Sequence, residues 1–270
     1  MLLRSALLLV IAAAVPACAK NYTVMVFGDS WGSLGPSWHE IQDVFDRNNV
    51  TAVVKSAARG GTTACQWAEH GGVSMALEAK QLFPNATDGP DFVWYTLGGN
   101  DLVNKNYANC SLQAKSFEEN LACMNNQTQK ANDCTAAILS KYYAAFPKSK
   151  VMQCGYDIPC ADGGCVKTDD ARNEWCGSNV TCMNEFTVAW QDMLVGTTQR
   201  RFPAPQYTGL NILGTVQAAG GVPGAATGQP NMSVGSPCEL MHSCVHPEHG
   251  KAGATAIGDA FWRLFFGKYL

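Results

Sequence analysis

Residues 22–32 read Tyr-Thr-Val-Met-Val-Phe-Gly-Asp-Ser-Trp-Gly, an apolar run that ends in a glycine turn. Tyr22 to Phe27 is rich in β-branched and aromatic residues and forms a strand; Gly28 permits the tight turn after it. Ser30 then falls at the carboxyl end of a strand, where open α/β sheets place their ligand crevice. Four further apolar segments, Thr51 to Lys55, Asp91 to Leu97, Lys150 to Cys154 and Leu210 to Val216, are separated by stretches long enough for helical crossovers. A parallel α/β sheet is therefore expected, since parallel neighbours need such crossovers. Trp38, Ile41 and Phe45 recur at helical spacing and should pack one helix on the sheet. Ala256, Ile257, Ala260, Phe261, Leu264 and Phe265 predict a terminal helix that closes the domain rather than lying on a membrane.

Gly28-Asp29-Ser30 alone is a weak signal, because such triplets are common at turns and helix caps. Three more blocks give it weight. Gly61-Thr62-Thr63-Ala64, with Trp67 following, lies just beyond the second strand; Leu97-Gly98-Gly99-Asn100-Asp101 ends the third; and Ser243-Cys244-Val245-His246-Pro247 precedes Gly250 and the terminal helix. In this order the blocks resemble those of the GDSL/SGNH hydrolases, over nearly the whole length after the leader described below. The resemblance implies a three-layer α/β/α sandwich with a central parallel, flavodoxin-like sheet. It also implies hydrolysis of carboxylic esters with no metal or organic cofactor. Ser30 would be the nucleophile and His246 the general base, with the Ser30 and Gly61 N–H groups and the Asn100 amide forming the oxyanion hole; Gly60 is the alternative register for the glycine. An amide suits that place because it donates without carrying charge, and an imidazole near pKa ~6.5 suits the base at neutral pH. His242 and His249 lie close by, but neither occupies the His-Pro position.

The family normally carries an aspartate three residues before that histidine, and Ser243 stands here instead. Three arrangements stay open: a Ser–His dyad oriented by a backbone carbonyl or by Ser243, an acid supplied from Glu239 or Glu248, or a catalytically inactive binding glycoprotein. Asp29 and Asp101 are expected to hold their turns. Trp31 and Trp67 could stack on a sugar ring and so point to carbohydrate esters, although packing is the commoner use of tryptophan; a lipid ester is the other substrate reading. A Cys238–Cys244 disulfide is expected to staple the His246 loop.

With 19 Lys and Arg against 22 Asp and Glu, a net charge of -3 and no run of like charge, the chain lacks the basic clusters that nucleic acid requires. Arg4, an apolar run from Ala6 to Val15 and Ala17-Cys18-Ala19 read as a signal peptide over residues 1–19, leaving one hydrolase-like domain over 20–270. The apolar run is about ten residues against the roughly 20 that span a bilayer, so no stable membrane insertion is expected. Asn-X-Ser/Thr sequons at Asn21, Asn49, Asn85, Asn109, Asn126, Asn179 and Asn231 agree with export. So do the 12 cysteines, eleven once Cys18 leaves with the leader, which lack Cys-x-x-Cys spacing and favour disulfides over metal. One thiol is left over. The cysteine-rich stretch around 110–182 reads as insertions on the sheet, and Ala218 to Pro230 as a surface loop shaping the substrate entrance. The location implied is extracellular, or the lumen of the secretory or endolysosomal pathway.

Overall fold

The computed structural model describes residues 20–33, 38–69, 74–103, 116–161, 176 and 179–270. The leader, Asn109, Cys110 and Cys165 lie outside them, as does the side chain of Trp38. In chain order the elements are β1 (Tyr22–Phe27), α1 (Ser30–Ser33), α2 (Trp38–Arg47), β2 (Ala52–Ser56), α3 (Ala64–Glu69), α4 (Met75–Leu82), β3 (Phe92–Tyr95), α5 (Gly99–Val103), α6 (Phe117–Ala145) and β4 (Lys150–Cys154). There follow α7 (Val180–Gln191), running through a π-turn at Asp192–Gly196 into α8 (Thr197–Arg201), then β5 (Tyr207–Leu210), α9 (Thr215–Ala219) and α10 (Ala252–Leu264).

All strand pairs are parallel, in the order β2-β1-β3-β4-β5, which is the flavodoxin-like order. Side chains alternate across each strand, and both faces are covered. Val24, Val26, Trp94 and Met152 pack against Ile41, Phe45, Ile257 and Phe261 of α2 and α10. Met25, Phe27, Val93 and Tyr95 pack against Trp67, Met75, Leu139 and Tyr142 of α3, α4 and α6. Each such side chain contributes about 1.5–3 kcal/mol on burial, so the three layers hold each other. The sheet order reverses between β1 and β3, and the crevice at that switch point lies where Ser30 and Asn100 leave their strands.

Several expectations need correction. The last strand is Tyr207–Leu210, not Leu210 to Val216. The buried Asp157 carboxylate takes the backbone N–H groups of Gly214 and Val216, and Gly214 turns at φ +81° into α9, which pulls the apolar run off the sheet. The cysteine-rich stretch, read as insertions on the sheet, includes among its described residues α6, a 29-residue helix opened by a Ser116/Glu119 capping box and buried through Met124, Leu139 and Tyr142. Cys65–Cys134 clips it to α3. The Cys238–Cys244 staple does not form: Cys238 pairs with Cys160, 78 residues away, and Cys244 is bonded to another partner. Cys176 pairs with Cys182, and Cys154 is a buried free thiol, pushed up to about 12 by burial. Among the described residues no helix is long and apolar enough to cross a membrane.

Candidate active site

The turn after β1 is built around Gly28, whose φ is +144°; a Cβ there would collide with Thr96 Oγ1 and come within 2.9 Å of the Leu97 nitrogen. The Asp29 N–H donates to Thr96 Oγ1 (2.9 Å), and its carboxylate accepts the Trp31 N–H (3.0 Å) and the Tyr156 hydroxyl (3.3 Å). Asp29 thus holds the turn, and burial pushes its carboxyl up to about 7. Ser30, 8% exposed, opens α1, and the N–H of a first helical residue has no intrahelical acceptor.

His246 Nε2 lies 2.8 Å from Ser30 Oγ, and His246 Nδ1 lies 2.7 Å from Ser243 Oγ. For Nε2 to accept the serine proton, Nδ1 must carry the ring hydrogen, so Ser243 Oγ accepts it. The structure thereby fills the ring's second position with Ser243 rather than with Glu239 or Glu248. Burial, reinforced by the neighbouring His242, lowers the imidazole to about 4, well below the value expected of a free histidine.

The loop carrying His246 is tied on several sides. His242 N–H donates to the His246 carbonyl (2.8 Å), Cys160 N–H to the Cys244 carbonyl (2.8 Å), and the Trp31 indole N–H to the Val245 carbonyl (3.0 Å). Trp31 is 1% exposed and stacks on Tyr156 with ring centroids 4.9 Å apart. It joins the nucleophile turn to the base loop. Trp67 is also buried, donating to Thr62 Oγ1 (2.9 Å) beneath the Arg59 guanidinium. Neither tryptophan presents a face to a sugar, so that argument for carbohydrate esters falls away.

Beyond β2, Arg59 N–H donates to the Gly28 carbonyl (2.8 Å) and Thr62 Oγ1 to the same oxygen (3.2 Å), drawing the second block against the nucleophile turn. The glycine bordering Ser30 is Gly60: a Cβ there would lie 4.0 Å from Ser30 Cβ, whereas at Gly61, φ +77°, it would meet nothing within 4 Å. Asn100 Nδ2 donates one hydrogen to the Thr62 carbonyl (3.0 Å), which fixes the amide and leaves its second N–H for a ligand. Asp101 accepts the Ala64 N–H (2.9 Å) and, pushed up to about 6 by burial, serves its turn. Gly98 and Gly99 admit the side chains of Leu194 and Tyr156, which crowd where a Cβ would stand. Tyr156 was not legible as a site residue, because nothing in its local sequence says that it lies under Asp29. Near the His246 loop, ligand atoms of Glu40, Asp43 and His249 lie within 4.8 Å of one another, already paired with Arg47 and with each other.

No family model matches the chain, and no curated protein matches it. Solved structures do. A lipase, Lip_vut3, from a goat rumen metagenome is 12% identical, with 91% of this chain and 98% of that one covered at a TM-score of 0.56. A GDSL-like lipase candidate from Parabacteroides merdae is 12% identical over 90% and 95% of the two chains, TM-score 0.51. An extracellular lipase from Streptomyces rimosus is 15% identical over 89% and 100%, TM-score 0.50. The fold is that of the GDSL/SGNH α/β hydrolases, and these three structural neighbours are described as lipases.

Proposed function

We propose that this protein is an exported serine hydrolase that cleaves carboxylic esters through an acyl-enzyme on Ser30. The observation that carries the reading is the 2.8 Å contact between His246 Nε2 and Ser30 Oγ, two groups 216 residues apart in the chain. His246 takes the Ser30 proton as Oγ attacks the carbonyl carbon, and returns it to the departing alcohol; water then repeats the cycle on the acyl-enzyme. The negative oxygen is held by the Ser30 N–H, the free Asn100 N–H and a glycine N–H, with Gly60 favoured over Gly61 because it borders Ser30. Ser243 keeps the imidazole in the productive tautomer, a role that needs no proton transfer of its own. Export rests on the leader, the sequons and the disulfides. The substrate is a lipid ester or, without support from Trp31 and Trp67, a carbohydrate ester, selected by loops such as 218–230.

Hydrolysis of p-nitrophenyl acetate and butyrate, set beside micellar esters and beside Ser30→Ala and His246→Ala, tests the reading. Turnover lost in both variants supports it, and faster turnover on micelles assigns lipid esters. The rival reading, an inactive binding glycoprotein suggested by Ser243 at the aspartate position, requires wild-type rates no higher than those of Ser30→Ala.

A further inference from the structure

Ser30 and Asn100 follow the carboxyl ends of β1 and β3 and His246 reaches Ser30 there, while three sequons stand before the amino ends. Asn21 directly precedes β1, Asn49 lies between α2 and β2, and Asn85 lies between α4 and β3, all three exposed. They also touch one another's segments. Tyr22 N–H donates to the Thr51 carbonyl (3.0 Å), and the Asp91 carboxylate accepts the Thr23 N–H (2.9 Å) and hydroxyl (3.0 Å). Because β1 has 6 residues, at about 3.3 Å each the sheet holds this rim roughly 20 Å from Ser30.

The same rim has a surface that calls for cover. β2 is an edge strand, and Val53 on it is 43% exposed. An open concavity of about 520 Å³ beside it is lined by Lys20, Thr23, Val53 and Phe83, and its walls include both Asn21 and Asn85. Apolar side chains left open in such a concavity invite contact with other chains unless something covers them.

We propose that Asn21, Asn49 and Asn85 carry N-linked oligosaccharides, and that the pair on Asn21 and Asn85 covers the concavity between them while the catalytic rim stays bare. The inference rests on the export reading above. Each Asn Nδ2 bonds to C1 of the first sugar of a polyprenyl-diphosphate-linked oligosaccharide, losing one proton as the lipid diphosphate leaves. A flexible, hydrated polymer at both walls keeps another chain out of the concavity without touching Ser30.

The test is expression of the full chain with its own leader in a eukaryotic cell, with enzymatic deglycosylation in heavy-oxygen water and peptide mass mapping. Asn21, Asn49 and Asn85 are expected as heavy-oxygen-labelled aspartates. The Asn21→Gln/Asn85→Gln variant is expected to hydrolyse p-nitrophenyl butyrate as the wild type does, yet elute in size-exclusion chromatography at larger apparent mass. Unmodified rim asparagines in protein recovered from the medium overturn the inference and leave export standing. Protein that stays unmodified in the cytosol overturns export and the inference together. A double variant that elutes as the wild type does overturns the shielding role.

Discussion

Ser243 Oγ lies 2.7 Å from His246 Nδ1, three residues ahead of the base, where GDSL/SGNH enzymes carry an aspartate. A hydroxyl there fixes the ring's orientation and tautomer as a carboxylate does, but offers no charge to steady the imidazolium. Two substitutions separate these contributions. Ser243→Ala should lower kcat by about three- to tenfold, the worth of roughly one neutral hydrogen bond. Ser243→Asp should raise the imidazole pKa by about one unit or more, because an opposite charge favours the protonated ring. Kinetics of both variants across pH check this, and an unchanged profile in Ser243→Asp contradicts it.

The wild-type pH profile follows from the buried ring. His246 acts as a base only when neutral, and burial with His242 lowers it to about 4. The neutral form therefore prevails from neutral pH down to about pH 5, and kcat/KM should stay level over that range before falling as protons load the ring near pH 4. His242→Gln removes one of the two causes and should move the limb upward. A limb near pH 6.5 in the wild type contradicts the account.

Asp29 gives stability the opposite dependence on pH. Its folded pKa is raised by burial from 3.8 to about 7, so between those values the folded state binds more protons than the unfolded one. The stability is fully present below the unfolded value and is lost as pH rises through about 7. Thermal melting should therefore fall from pH 5 to pH 8. Asp157 and Asp101, raised by burial to about 7 and about 6, add slopes of the same sign, so Asp29→Asn, which still accepts the Trp31 N–H, should reduce that dependence; an equal slope in the variant refutes the assignment.

Cys160–Cys238 ties the segment after β4 to the chain leading into the His246 loop, closing 78 residues of sequence. Replacing both cysteines by serine should cost about 2–5 kcal/mol of stability, and should lower kcat more than it alters KM, since the loop it anchors holds the base and not the substrate. Denaturant titration and kinetics of the double variant measure both, and non-reducing peptide mapping reads the pairing directly.

The sequence carried most of what local chemistry specifies. β1 and β4 fall on their expected residues because short β-branched runs bounded by turn signals leave few alternatives. The order of their blocks singles out Ser30, Asn100 and His246, and the fold brings His246 Nε2 to 2.8 Å from Ser30 Oγ. The illegible parts depend on contacts across the chain. The pairing of Cys160 with Cys238 has no local signature, since connectivity cannot be read from spacing. The end of β5 is set by Asp157, and Trp31 reads as core or as a sugar platform until its indole is seen bonded to Val245. Gly60 and Gly61 differ by one residue of register, which the local sequence does not distinguish and which in the fold puts Gly60 beside Ser30.

The central claim is that His246 makes Ser30 a nucleophile without a carboxylate behind it. Reaction of the wild type, Ser30→Ala and His246→Ala with a fluorophosphonate probe, with the adduct located by peptide mass mapping, tests it most directly. The expected result is a single adduct on Ser30 in the wild type, none in Ser30→Ala, and labelling slowed by orders of magnitude in His246→Ala. Wild-type protein that is folded yet unlabelled, or labelled equally well without His246, would contradict it.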